Sequence, residues 1–228
     1  MTLSAKLLTE LTGTFVFFTV IGLSGHAGPL APLAIGAALM AMVYMGGHVS
    51  GAHYNPAVSF GLFLRGVISA STMGAYWAAQ LVAGILAFGF AYLVGGGARG
   101  IHPGASVYWS SALAAEVVVT TALVLVVMNV AATKQTSGNS FYGLAIGATV
   151  MVGAFVAGQI SGGAFNPAVG VGATVSSALF ASGGWSDLWL YLVGPFAGAA
   201  IAAGIHRTQT LLTPMRPEES ESHAPGPT

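Results

Sequence analysis

A twelve-residue stretch is written twice in this chain: Gly47-His48-Val49-Ser50-Gly51-Ala52-His53-Tyr54-Asn55-Pro56-Ala57-Val58 and Gly158-Gln159-Ile160-Ser161-Gly162-Gly163-Ala164-Phe165-Asn166-Pro167-Ala168-Val169. The copies stand 111 residues apart and agree at seven positions. Leu33-Ala34-Ile35-Gly36-Ala37 returns letter for letter as Leu144-Ala145-Ile146-Gly147-Ala148 at the same offset. Repeats of about 30 to 45 residues mark solenoids, whereas one long offset marks a duplicated domain. Each copy centres on Asn-Pro-Ala. Asn is a strong N-cap, and Pro suits the first helical position because its missing N–H has no partner to lose there. Each copy therefore predicts a helix start. Alone, such a tripeptide predicts only a turn before a helix; two in matched surroundings predict a paired site.

The apolar run from Pro56 to Leu64 is too short to cross about 30 Å of hydrocarbon, which takes roughly 20 residues. That limit applies because the chain is 55% hydrophobic and 5% charged, a composition that belongs in a bilayer. Spans are predicted at residues 4–23, 33–47, 72–94, 109–131, 142–157 and 187–207. The first lacks a cleavage pattern and contains Glu10 and Thr14, so it reads as a retained helix and not a signal peptide. The predicted fold class is an all-α membrane protein: six transmembrane helices plus two re-entrant half-helices.

With three spans per half the second half is inverted, so the half-helices enter from opposite faces and meet near the bilayer centre. Broken helices in inverted repeats mark permeation or binding sites. Residues 1–212 form one membrane channel domain, with halves of about 1–100 and 101–212, and residues 213–228 read as a disordered tail rich in Pro, Glu and Ser. Placing Lys6, Arg65, Lys134, Arg207 and Arg216 inside and Arg99 outside obeys the positive-inside rule, which makes both termini and the tail cytoplasmic. Small residues at Gly143/Gly147 and Gly194/Gly198 predict close helix packing.

Each half-helix points its N-terminus, worth about half a positive charge, at one central spot. At an effective dielectric of 20, two such ends about 5 Å from a cation oppose it by roughly 3 kcal/mol. Neutral molecules that accept hydrogen bonds meet no such barrier, because Asn55 and Asn166 can each offer an amide N–H to a lumen. Gly51 to Tyr54 and Gly162 to Phe165 are predicted to be extended. Irregular backbone at membrane depth survives only where it lines a wet cavity or is buried in protein, so these carbonyls predict a path for neutral polar solutes.

On its two Asn-Pro-Ala boxes, Ser50-Gly51-Ala52-His53-Tyr54-Asn55, Glu10 with Thr14, Glu116 with Thr120, and Gly194-Pro195, the chain resembles the aquaporin (major intrinsic protein) family over nearly all of residues 4–207. The resemblance implies a right-handed bundle, a pore in each protomer and a homotetramer. It assigns the pore-lining backbone to Gly51, Ala52, His53, Tyr54, Gly162, Ala164 and Phe165, and a filter to Ile35, Ala154, Gly163 and Val169. Relatives usually carry Arg at the last position, and no Asp follows it here as in a typical glycerol facilitator. An Ile/Ala/Gly/Val filter is expected to be wider and less polar than a water-selective one. It resembles that of arsenite-permeable bacterial members, which implies the inner membrane of a bacterium. Metalloid hydroxides, glycerol-like polyols and urea are then candidate solutes; a water channel with an unusual filter is the alternative.

Glu10 and Glu116 are intramembrane carboxylates, and thus functional candidates by default. A proton relay is one reading; in the family each carboxylate braces a re-entrant loop. His48 and His53 are candidate vestibule residues, with His53 bracing its loop. His26, His102, His206 and His223 lack the spacing or nearby carboxylates of a metal site. Trp77, Trp109, Trp185, Trp189 and Tyr191 include candidate interfacial anchors. No cysteine, phosphate loop or catalytic constellation occurs, so no enzyme, metal or cofactor is expected. With zero net charge and no basic cluster, nucleic acid is not an expected partner; lipid and small neutral solutes are. Secondary transport and a purely structural membrane role remain as competing classes, the first disfavoured by the scarcity of embedded charge.

Overall fold

The computed structural model describes residues 1–96 and 100–213. Arg99, Arg216 and the tail expected after 213 lie outside the described residues, apart from Thr213. Eight α-helices are formed among those described: α1 Leu3–Leu23, α2 Ala31–Ser50, α3 Pro56–Leu64, α4 Ala70–Gly95, α5 Trp109–Ala131, α6 Tyr142–Ser161, α7 Pro167–Phe180 and α8 Leu188–Leu212. Six have 20 to 26 residues, long enough to span a bilayer at about 1.5 Å per residue. α3, with 9 residues, and α7, with 14, are too short.

Leu3–Ser50 is helical over 48 residues, yet it is two spans. Its 3-10 segment Ser24–Leu30 breaks at Gly28 (φ 53°, ψ −128°), directly before Pro29, and α1 and α2 fold back on each other. A left-handed φ at Gly and a proline just beyond it end one helix and start the next. The second and fifth spans are longer than predicted: the first four residues of each repeated motif, Gly47–Ser50 and Gly158–Ser161, are helical, and the chain leaves the helix only at Gly51 and Gly162, both left-handed C-caps.

Packing repeats with the sequence. α1 lies on α4 as α5 lies on α8; α2 meets α6; and each half-helix packs against the last helix of the other half, α3 on α8 and α7 on α4. Glycines set the closest approaches. A Cβ on Gly147 would stand 2.5 Å from Gly36 O, and one on Gly36 2.7 Å from Gly147 O, so α2 and α6 touch backbone to backbone. A Cβ on Gly143 would meet the Tyr44 ring, one on Gly194 the Glu116 Cβ, and one on Gly198 Val117 O, at 2.6 to 2.8 Å.

The segments between α2 and α3 and between α6 and α7 are not extended, contrary to the sequence expectation. Gly51, Ala52 and Tyr54 have φ of 90°, 52° and 47°; Gly162, Gly163 and Phe165 have 92°, 72° and 49°. In a strand, successive N–H groups point to opposite sides. The left-handed residues instead turn neighbouring amides onto one carboxylate. Glu10 Oε1 accepts from the Ser50 hydroxyl (2.7 Å) and His53 N–H (2.9 Å), and its Oε2 from Tyr54 N–H (2.8 Å) and the Gln80 amide (2.8 Å). Glu116 Oε1 accepts from the Ser161 hydroxyl (2.7 Å) and Ala164 N–H (3.1 Å), and its Oε2 from Phe165 N–H (2.7 Å). Left-handed non-glycine residues cost about 1–3 kcal/mol each, which these charge-assisted bonds offset. Tyr76 and Tyr191 close the turns by donating to Ser50 O (2.7 Å) and Ser161 O (2.6 Å).

Glu10→Gln replaces an acceptor oxygen with an amide that faces donors, so it is expected to cost about 2–5 kcal/mol of stability. Glu116→Gln, with three donors against four, is expected to cost less. Thermal unfolding in detergent, followed by tryptophan fluorescence, measures both; wild-type melting in both variants would show that the loops do not depend on the carboxylates. Gly147→Leu is expected to lose about 1–3 kcal/mol by overpacking α2 against α6. Gly89, where a Cβ meets nothing within 4 Å, is the matched control.

Candidate functional site

The two half-helices meet N-terminus to N-terminus, and their first residues hold them there. Asn55 and Asn166 are N-caps with extended backbones, followed by Pro at the first helical position. Asn55 Oδ1 accepts from Ala57 N–H at 2.8 Å, and Asn166 Oδ1 from Ala168 N–H at 3.0 Å. Only an oxygen can accept from an N–H, so the amide nitrogens point away from the helices. Each crosses to the other loop: Asn55 Nδ2 donates to Phe165 O and Asn166 Nδ2 to Tyr54 O, both at 2.9 Å. An amide nitrogen carries two hydrogens. The second on each Asn is left for the cavity that both residues line.

Three cavities succeed one another past this junction. A central lumen of about 40 Å³ runs beside Asn55 and Asn166, walled by Phe17, Leu39, Val58, Leu123, Val127, Ile146 and Val150 among others. A vestibule of about 440 Å³ adjoins it at Ile21, Ile35, Ala154 and Gly163, which line both. A second vestibule of about 290 Å³ adjoins it at Ile146, between His48, Gly51 and the Ser137–Asn139 turn. At 10–15 Å³ per water, the lumen holds about three waters. Its walls are otherwise apolar, so a molecule inside finds its polar contacts at the Asn amides, at His53 and along the loop carbonyls.

Each residue singled out for the lining reaches one of these spaces except one. Ala52, His53, Tyr54, Ala164 and Phe165 line the lumen, Gly162 the larger vestibule and Gly51 the smaller. Ile35, Ala154 and Gly163 come together where the larger vestibule narrows into the lumen. Val169 does not join them. It sits in the first turn of α7, 1% exposed in the apolar core, and lines none of the three cavities. A branched three-carbon side chain on a turn packed against α4 is too short to reach the mouth.

The mouth has members that the sequence reading missed. Ile101 and His102 line the larger vestibule, and a Cβ on Gly162 would strike Ile101 and stand 2.8 Å from His102 O. The α4–α5 loop thus lies over the second motif, tied there by Gly104 N–H to Ile160 O at 3.1 Å. His102 has a carboxylate beside it, contrary to expectation: its Nδ1 is 2.9 Å from Asp187 Oδ2. The two residues stand 85 positions apart, so sequence spacing carries no signal of the pair. His53 Nδ1 is 2.9 Å from Ser59 Oγ, and its ring packs edge-on against Tyr76. Tyr191 is not an interfacial anchor, and Trp77 has a partner within the protein. The Trp77 indole donates to Pro56 O at 3.0 Å, and Tyr191 is fully buried on its loop. Among the described residues no group of three His, Cys, Asp or Glu is placed to hold a metal.

Comparison with known proteins agrees with this architecture. The profile of the family described as major intrinsic protein matches residues 2–206. Aquaporin NIP1-1 of Zea mays is 34% identical over 209 residues, covering 87% of this chain and 72% of that protein. Probable aquaporin TIP2-2 of Oryza sativa subsp. japonica is 35% identical over 216 residues, covering 88% and 85%. In the structure of the aquaglyceroporin from Plasmodium falciparum the fold recurs with a TM-score of 0.75 at 20% identity, over 90% of this chain and 96% of that one. With an inverted pair of Asn-capped half-helices meeting over a narrow lumen, and a profile match across nearly every helix, this chain is an integral membrane channel of the major intrinsic protein (aquaporin) family.

Proposed function

We propose that the chain is a passive channel for small neutral solutes, with metalloid hydroxides such as arsenous acid, glycerol-like polyols and urea passing as well as water. One observation carries the reading: Ile35, Ala154 and Gly163 form the narrowing of the mouth, while Val169 is withdrawn into the core. Among the described residues no Lys or Arg lines that mouth. Solute size is then limited further in, beside Asn55 and Asn166. Cations are opposed at that point by the two half-helix ends, and neutral acceptors are received by the free Asn N–H groups.

The second reading, chiefly a water channel, is favoured by the lumen itself, whose volume of about 40 Å³ suits a file of single waters better than a polyol. Side-chain rotation in its aliphatic walls decides between the two. Coupled transport is disfavoured because both carboxylate oxygens of Glu10 and of Glu116 are occupied by loop donors. The family likeness supports a homotetramer, and an apolar groove between α5 and α6, bordered by Val118, Val152 and Val156, offers a face for it. We place the protein in a bacterial inner membrane with both termini cytoplasmic. Arg65, Lys134 and Arg207 cluster at one end of the bundle: Arg65 reaches Ala132 O, and His206, next to Arg207, reaches Thr133, next to Lys134.

Stopped-flow light scattering on reconstituted liposomes tests the reading. Under one osmotic step, rapid re-swelling in glycerol, urea and arsenous acid is expected beyond that of empty liposomes. Fast water flux with no solute entry would favour the second reading. Val169→Arg is expected to slow the bulkier solutes by about tenfold, or ~1.4 kcal/mol of barrier, while sparing water. Unchanged uptake of both would show that position 169 does not govern the mouth.

A further inference from the structure

At the end of the bundle that carries Arg65 and Arg207 lies a cleft that takes no part in the pore. It has a volume of about 290 Å³ and is enclosed between the C-terminus of α3 and the last turns of α8, with Leu64, Arg65, His206, Arg207, Thr210 and Leu211 on its walls. Two arginines therefore line one space. Among the described residues, the single ion pair is His102–Asp187 at the opposite end, so neither arginine has a carboxylate partner there.

Arg65 is the more constrained of the two. It caps α3, and one of its terminal nitrogens donates to Ala132 O at 3.4 Å. Its Nε is buried and has no acceptor among the described residues. That Nε is shut off from solvent, so it is through its terminal nitrogens that Arg65 would meet an anionic oxygen in the cleft. His206 does not accept from Arg65, because its Nε2 lies 3.1 Å from Thr133 Oγ1 and its Nδ1 3.3 Å from Thr210 Oγ1.

The rim adds a second requirement. Leu64 is 46% exposed and Leu211 77% exposed, so apolar surface stands beside the two cations. A soluble anion has no use for that surface. A lipid matches both parts, its phosphate against the guanidinium forks and its acyl chains against the leucines. We propose that this cleft binds the phosphate of an anionic phospholipid from the leaflet on the Arg65 side. The site is independent of which solute the pore conducts. The chain offers one competing occupant, the acidic run Glu218-Glu219-Ser220-Glu221 that follows α8 in sequence.

The test is native mass spectrometry of the full-length protein, counting phosphatidylglycerol and phosphatidylcholine retained per protomer. Phosphatidylglycerol is expected to be retained in preference. Arg207→Gln and Arg65→Gln are each expected to weaken its retention roughly fivefold, while Lys6→Gln, with the same loss of charge on α1, leaves it unchanged. Arg65→Gln also loses the bond to Ala132, so Arg207→Gln, on an exposed side chain, carries the test if the former does not fold. Equal retention by Arg207→Gln and Lys6→Gln overturns the proposal. So does displacement of the lipid by millimolar inorganic phosphate, which indicates a free-anion site. Retention that arises only when Glu218, Glu219 and Glu221 are all changed to Gln also overturns it and assigns the cleft to the tail.

Discussion

The reciprocal bonds from Asn55 to Phe165 O and from Asn166 to Tyr54 O are the contact on which the two halves depend. In hydrocarbon an unpaired amide or carbonyl costs several kcal/mol. Neither half can satisfy its own loop. Asn55 spends its oxygen on its own helix and its nitrogen on the other half, as does Asn166. The halves are therefore joined at mid-membrane by this reciprocal pair of bonds. The remaining hydrogen on each amide serves the lumen.

Around that junction the protein separates two tasks. Backbone conformation is held from outside the lumen, by Glu10 and Glu116 on the N–H side of the loops and by Tyr76 and Tyr191 at their first turns. The opposite side of the same backbone lines the lumen and vestibules. His53 apart, the side-chain walls are apolar and offer a permeant no further hydrogen-bond partner of comparable strength. Ordered donors at one level, with little to bind elsewhere, let a neutral molecule bind weakly and move on, which is what conduction requires.

The internal symmetry is imperfect where function differs between the two ends. Glu10 has a fourth donor, Gln80, whereas Glu116 has none from α8. Val58 lines the lumen and its counterpart Val169 does not. The α4–α5 loop brings Ile101 and His102 over the second motif, and the polar Ser137–Asn139 turn borders the opposite vestibule. Two near-identical twelve-residue motifs thus open onto unlike vestibules, because the loops beside them differ in length and composition.

How much of this was legible in the sequence follows from how local each feature is. Helix starts at Asn55 and Asn166, the length limit on the half-helices, and the inverted order of the halves rest on local propensity, hydrophobic length and an odd number of spans per half; each can be counted along the chain. Ile35, Ala154 and Gly163 were reachable through the family resemblance, which sets their offsets from Asn55 and Asn166. Left-handed turns at Ala52, Tyr54 and Phe165 were not legible, because a non-glycine residue takes positive φ only when distant groups such as Glu10 and Glu116 hold it there. The His102–Asp187 pair, the Trp77 bond to Pro56 O and the withdrawal of Val169 join elements far apart in the chain or depend on how α4 packs against α7. Sequence alone determined that two capped half-helices must meet within a membrane, since nothing else satisfies their backbone. Tertiary structure decided what surrounds the opening between them, since that depends on which side chains the packed helices bring within reach.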